Sequence, residues 1–289
     1  MHTLRLDPHL LGFYEGRTPG IADDPAAGWV EDGALSLGIC SYAIVDGTEA
    51  IVYDTHVSVE RAHAIREELQ RLGARRIRVV LSHWHLDHIA GSEAFADCEI
   101  IANAVTAELL AEHRSAIEAG TFHGPPAIAP LVLPTTTFRD RMSVNLPNVR
   151  VELAQFAIHS ADATVIHLPD LDLLLAGDTL EDTVTYVSDP GQLELHLDEL
   201  DRLRGLAAGR IFPNHGSRAR IERGGYAPIL IDATERYIGD LLAIAVDPSE
   251  AHSDLRAFVA DQLAAGWLEW FEPYERVHRS NVAAVSNRR

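Results

Sequence analysis

The chain has 289 residues, 47% of them apolar and 23% charged, enough to bury a substantial core in one large α/β domain or two smaller units. Its 24 basic residues, every one of them Arg, stand against 43 acidic ones, and the net charge of −19 disfavours nucleic acid and other polyanions as partners. The start, Met1 to Pro8, lacks the basic lead and apolar centre of a secretion signal, and no apolar run reaches the roughly 18 residues of a membrane span. The expectation is a cytoplasmic chain without a membrane partner, in which Cys40 and Cys98 are thiols rather than a disulfide.

Along the chain, the apolar runs Leu37 to Val45 and Ala50 to Tyr53 flank Asp46-Gly47, which predicts a β-hairpin. Residues 58 to 72 predict a helix, with Ala62, Ile65, Leu69 and Leu72 on one stripe and Gly73 to end it. Ile77 to Leu81 is a continuous apolar run, suited to a strand buried on both faces. Cys98 to Ala102 predicts a further strand, and Asn103 caps a helix over Ala104 to Ala119. Residues 120 to 148 are rich in Pro, Gly and Thr and read as one long surface loop, of the kind that serves as a lid or binding loop. Strands return at Val149 to Ile158, Thr164 to Leu168, Leu173 to Ala176 and Arg210 to Phe212, with a helix after Pro190. From Tyr226 onward the pattern is helical, broken at Pro248. Strands and helices mixed in both halves suggest a sheet sandwich covered by helices.

The chemistry is concentrated in His83-Trp84-His85-Leu86-Asp87-His88, which follows the buried strand directly. In extended backbone His83 and His85 leave one face, and Asp87 and His88 follow where the strand turns. Imidazole nitrogens and carboxylate oxygens in fixed directions are what a divalent metal of the zinc type requires. Packing so many titratable groups together is costly unless a cation neutralises them, so a purely structural role is disfavoured.

This His-x-His-x-Asp-His segment resembles the signature of the metallo-β-lactamase superfamily of hydrolases. Further positions match in order: Asp54 after an early strand, His159 after a middle one, Asp178 in Ala176-Gly177-Asp178-Thr179, and His215 in Pro213-Asn214-His215-Gly216. Two departures surround the middle His: Ile158 precedes it where the family has Gly, and the following Gly is missing. His167 is the competing residue there, inside a predicted strand. The resemblance implies an αββα sandwich of two mixed β-sheets flanked by helices. Residues 1–225 would form the catalytic domain, and 226–289 a helical extension packed on it. It also implies that His83, His85 and His159 hold one metal ion, that Asp87, His88 and His215 hold a second, and that Asp178 bridges them. The ions would be two divalent cations, zinc first, with iron or manganese as alternatives. Asp54 would orient a ligand.

Such a centre would supply a hydroxide near neutral pH and polarise the oxygen under attack, with Asp87 accepting a proton. Tyr186 is a candidate to stabilise an oxyanion. His56 lies near the site in sequence, and His123 sits on the supposed lid. His2, His9, His63, His113, His252 and His278 read as solvated, and His196 as a packing or surface residue.

Within the family, true β-lactamases carry Cys or Ser in place of Asp178 and are exported, and the nuclease branches conflict with the acidic surface. The branch that resembles this ligand set contains glyoxalase-type thioesterases, lactonases and esterases. The expected activity is therefore hydrolysis of a small-molecule ester, thioester or lactone. An iron persulfide dioxygenase with one metal, and a metal-bearing effector without turnover, are the alternatives. The oligomeric state is left open, a homodimer included.

Overall fold

The computed structural model describes residues 1–17, 28–246 and 254–287. The chain opens with a hairpin absent from the sequence reading, β1 (His2–Asp7) and β2 (Leu10–Glu15). A wide helical turn (Val30–Leu35) leads into β3 (Ile39–Asp46) and β4 (Glu49–Tyr53), paired antiparallel around Asp46-Gly47 as predicted. Helix α1 (Val59–Arg71) begins where the Ser58 hydroxyl accepts the Arg61 N–H, and it buries the predicted stripe residues Ala62, Ile65 and Leu69.

Strand β5 (Arg76–Val80), the short α2 (Leu86–Ile89), β6 (Glu99–Asn103) and α3 (Ala104–Glu118) follow, with the Asn103 side chain capping α3 at Thr106 N. The stretch 120–148 is not one loop. It contains β7 (Thr136–Phe138) and β8 (Arg141–Ser143), too short for a periodicity to register, and these belong to different sheets. Strands β9 (Glu152–Ile158), β10 (Ser160–Leu168), β11 (Leu173–Gly177) and β12 (Arg210–Pro213) complete the second sheet, with α4 (Leu193–Arg204) crossing between the last two. Helices α5 (Arg218–Glu222), α6 (Ile229–Val246), α7 (Leu255–Phe258), α8 (Ala260–Ala264) and α9 (Tyr274–Ser286) finish the described chain.

Among the described residues one sheet has seven strands in the order β1 to β7, and the other five, β12-β11-β10-β9-β8. Both are mixed: β4 to β7 run parallel after an antiparallel start, and β11 and β12 form a parallel pair in an otherwise antiparallel sheet. One core lies between the sheets, where Tyr42, Tyr53, Val80 and Ile101 meet Phe156, Ile166, Leu175 and Phe212, and it continues into α4, α6 and α9. A second core joins the outer face of the first sheet to α1 and α3, and Ile128 and Leu131 are buried in it. This is the expected αββα sandwich, each sheet hiding an apolar face on either side. Among the described residues no helix is long and apolar enough to cross a membrane.

Two hydrogen bonds stitch the sheets together near the motif: the Thr164 N–H donates to Ser82 O at 2.6 Å, and the Tyr53 hydroxyl to Thr164 O at 2.5 Å. The turn before Asp178 is tight for a related reason. Gly177 has a φ of +59°, and a Cβ there would stand 2.8 Å from the Tyr53 hydroxyl, so only glycine fits.

Candidate metal centre

The side chains singled out by the sequence meet at one rim of the sandwich. His83, His85, Asp87 and His88 follow β5, His159 follows β9, Asp178 follows β11 and His215 follows β12. Ligand-type atoms of His83, His85, His159 and Asp178 lie within 4.8 Å of one another, and those of Asp87, His88 and His215 form a second such group. Asp178 Oδ2 joins the two, at 3.2 Å from His88 Nε2, 3.5 Å from His215 Nε2, 3.6 Å from His83 Nε2 and 3.8 Å from His159 Nε2. Asp87 Oδ2 stands 3.2 Å from His215 Nε2, and His85 Nδ1 faces His159 Nε2 at 3.0 Å.

The outer ring nitrogens are tied down. His159 Nδ1 is 3.0 Å from Tyr186 O and His215 Nδ1 2.8 Å from Gly38 O, contacts that require an Nδ1 proton and turn the Nε2 lone pair inward. His83 Nδ1 meets the Ser82 hydroxyl at 2.9 Å. Asp54 braces three segments together: its carboxylate accepts Ser82 N–H at 2.6 Å and Asn214 Nδ2 at 2.5 Å, and lies 2.9 Å from His88 Nδ1. Asp162 does the same for two others, taking the Trp84 N–H at 2.9 Å, the Thr106 hydroxyl at 2.9 Å and the Ser160 hydroxyl at 2.7 Å. Its signal in sequence is an acid in an apolar strand, which burial alone pushes up and these donors make tolerable.

The donor set fits divalent cations. His83 Nε2, His88 Nε2 and Asp178 Oδ1 are buried and have no hydrogen-bond partner, an expensive arrangement that a cation would relieve. His88 Nε2 is near Asp178 yet out of line for a hydrogen bond. Burial holds His83 well below the usual imidazole range and His85 down to about 3, so both are neutral donors. For His88 and His215 burial is outweighed by carboxylates, chiefly Asp178, and His215 is pushed up to about 9. Asp178 is held well below its usual value, burial being outweighed by His88 and His215. Positive charge is thus demanded beside Asp178, where metal ions would replace protons.

Other candidates are placed differently. His167 is half-buried inside β10 opposite Leu174 and Glu152, away from the cluster, so His159 is the residue the fold delivers. His56 is buried close behind, its Nδ1 accepting Val57 N–H, and it does not join either group. His123 packs edge-on against Phe122, and with Trp84 and His113 these form an aromatic group beside the rim. His278 is buried rather than solvated, its Nδ1 3.0 Å from the Tyr237 hydroxyl, and His196 takes the packing alternative, buried with its Nε2 accepting the His159 N–H.

A cavity of about 360 Å³ opens over the cluster. Its floor is His85, Asp87, His159, Asp178, Glu181 and His215, and its walls are Gly33, Leu37, Tyr186 and the α9 residues Arg276, Val277 and Ser280. No residue of 120–148 lines it, so that stretch is not its lid; Ile128 and Leu131 fasten it to the outer core instead. Tyr186 stands at the rim, 41% exposed. Glu181 is the floor residue that the sequence did not disclose. Its carboxylate accepts Tyr186 N–H at 2.9 Å and the Tyr274 hydroxyl at 3.0 Å, and burial, then Asp178, push it up to about 8.

Comparison with known proteins agrees with this geometry. A family model described as metallo-beta-lactamase superfamily matches residues 37–215, which contain the whole cluster. A linear primary-alkylsulfatase from Pseudomonas sp. (strain ATCC 19151) is 26% identical over 211 residues, covering 57% of this chain; the match spans only 39% of that enzyme's length. Among solved structures, a metallo-beta-lactamase from Pontibacter korlensis superposes with a TM-score of 0.63 at 16% identity, over 83% of this chain and 99% of the other. The DIM-1 metallo-beta-lactamase exposed to ceftazidime gives 0.59 at 18% identity, over 82% and 96%. At such identities these two speak for the fold alone.

Proposed function

The chain belongs to the metallo-β-lactamase superfamily, and from that premise we propose that it is a dinuclear metal-dependent hydrolase of a small-molecule ester, thioester or lactone. The observation that carries this is the single Asp178 oxygen within 3.2 to 3.8 Å of imidazoles from both ligand groups, on the floor of one open cavity. His83, His85 and His159 would hold one cation, Asp87, His88 and His215 the other, with Asp178 shared. Divalent ions so held supply hydroxide at neutral pH and a Lewis acid.

The remaining chemistry belongs to the chain. Asp87 is 18% exposed against 5% for Asp178, which makes it the carboxylate open to the cavity and suited to take a proton. The backbone of Tyr186 is pinned, its N–H on Glu181 and its carbonyl on His159 Nδ1, and its ring centroid is 5.9 Å from that of His159. Its hydroxyl would be the donor to an oxyanion. Leu37 and Val277 give the walls an apolar character that favours a small organic substrate over a solvated polyanion.

Elemental analysis of metal-replete protein, with a panel of lactones, thioesters, aryl esters and bis(4-nitrophenyl) phosphate, tests this. Close to two ions per chain and turnover of carbonyl substrates well above the phosphodiester are expected. No more than one ion would favour the mononuclear dioxygenase reading, and phosphodiester cleavage with esters untouched would overturn the substrate class. A second reading, hydrolysis of an alkyl sulfate ester, is supported by the similarity to the alkylsulfatase and by Arg276 in the cavity wall. Alkyl sulfates therefore belong in the same panel.

A further inference from the structure

We infer that Gly33 sets how long an apolar chain this cavity accepts, and that the favoured ester carries a straight alkyl group seated on the bare backbone of Gly33, beside Leu37 and Val277. The inference rests on the cavity being the substrate pocket of a hydrolase. It starts from a glycine that the fold does not require. Gly33 lies in the wide helical turn Val30–Leu35 and lines the cavity. Its φ is outside the left-handed region, and a Cβ built on it meets no atom of the described residues within 4 Å. At Gly38, by contrast, φ is +78° and a Cβ would collide with the Tyr14 hydroxyl. In a helical turn glycine loses more backbone freedom on folding than alanine, so Gly33 weakens the element that carries it. What it leaves is open space at the cavity wall.

The turn around that space is held in place. Val30 and Ala34 are buried in a small core with Ile39 and Val57, while Gly33 is exposed. Before the turn, the Trp29 Nε1–H donates to Pro126 O at 3.0 Å. At its end, the Arg17 N–H donates to Leu35 O at 2.8 Å and Arg17 Nε to Leu37 O at 2.9 Å. A wall anchored at both ends and packed into a core does not collapse into the gap over Gly33, so the shape is ready before substrate arrives.

The surroundings suit a hydrocarbon. Leu37 and Val277 bring apolar side chains to the same cavity, 8% and 9% exposed. Its volume of about 360 Å³ equals that of roughly a dozen waters at about 30 Å³ each, more than an acetyl group fills. Burying one methylene is worth about four-fold in an equilibrium constant at 25 °C. A chain that reaches Gly33 therefore gains with each carbon, and a side chain that fills the gap displaces two or three of them. Gly33 also lies before residue 37, where the family match begins, so this limit is a property of the chain's own leading segment.

The test compares kcat/KM of the metal-loaded protein on two esters that share a leaving group, 4-nitrophenyl acetate and 4-nitrophenyl octanoate. The octanoate is expected to be preferred. Gly33→Leu should lower the octanoate-to-acetate ratio roughly ten- to a hundred-fold, mainly through KM for the octanoate, and Gly33→Ala should lower it by less. Preference of the wild type for the acetate, or an unchanged ratio in Gly33→Leu, overturns the inference and leaves the hydrolase reading standing. Calorimetric binding of 1-octanol gives a readout without turnover, expected to weaken by a similar factor in Gly33→Leu. Equal affinity in both proteins, or none in either, overturns the inference. Gly33-dependent octanol binding with no ester cleaved would instead sink the hydrolase reading alone.

Discussion

The backbone N–H of His159 donates to Nε2 of His196 at 3.0 Å, linking a residue of the metal cluster to a buried side chain on α4. His159 has a φ of +66°, a left-handed conformation that costs a non-glycine residue on the order of 1–2 kcal/mol. The bond to His196 and the bond from Ser188 N–H to His159 O hold it there. Replacing His196 by Leu is therefore expected to weaken metal binding at the His83, His85 and His159 site by roughly 10–100-fold, with Gln, which keeps an acceptor, recovering part of it. Competition with a chromophoric chelator reads this directly. Equal affinity in the Leu variant and the wild type would show that the strained backbone holds itself.

Asp178 Oδ2 stands within 3.2 to 3.8 Å of imidazoles from both groups. Asp178→Ala should reduce bound metal well below two ions per chain and lower turnover by more than the roughly 10–100-fold lost when a residue merely orients a ligand. His167→Ala should leave metal content unchanged, because that side chain sits within β10 opposite Leu174. Elemental analysis of the two variants side by side checks the pair. Loss of metal from the His167 variant alone would move the middle ligand away from His159.

Tyr186 has no hydrogen bond to its hydroxyl among the described residues, and its ring centroid is 5.9 Å from that of His159. Tyr186→Phe is expected to lower kcat on the order of 10²-fold with little change in KM. A change confined to KM would mean that the hydroxyl holds the substrate in its ground state.

The two thiols should separate by reactivity. Cys40 is fully buried in β3 and burial pushes it up to about 12, whereas Cys98 is half-exposed beside Arg66 and Asp97. A disulfide-exchange reagent at pH 8 should modify Cys98 in the native protein and Cys40 only after unfolding. The fold favours the protonated Cys40 thiol, so its contribution to stability is complete below pH 9, the ordinary thiol value, and is lost as pH rises from there towards 12. A Cys40→Ser variant should show a shallower loss of stability over that alkaline range. Native Cys40 reacting as fast as Cys98 would contradict the burial on which both expectations depend.

Much of the centre was legible because its candidate ligands carry local signals: four of them lie within six residues, and Asp178 and His215 each follow a predicted strand. The hairpin β1–β2 was missed because β1 is a solvent-facing edge that buries only Leu4, while β2 is buried almost throughout, so neither alternates cleanly. His278, Asp162 and Glu181 were misjudged or passed over, and His196 was left between packing and exposure, for a common reason. Each is polar in sequence and buried in the fold, and its partner lies 37 or more positions away, or, for Asp162 and Glu181, 78 and 93 positions away at the farthest. Composition correctly marked 120–148 as rich in turns, but lining a pocket depends on where the stretch is tethered.

The bonds from Tyr274 to Glu181 and from Asn281 to Val187 carry a consequence for inheritance. A lineage could try to acquire a new substrate by exchanging the stretch after residue 215 for a foreign one, leaving the reactive rim untouched. Such a graft would have to bring a hydroxyl for the buried Glu181 and an amide for residues 185 and 187. Without them it would strand a carboxyl group at the heart of the pocket. Substrate range here is expected to drift by point changes at the α9 positions that line the cavity, such as 276 and 280, while 274 and 281 stay fixed.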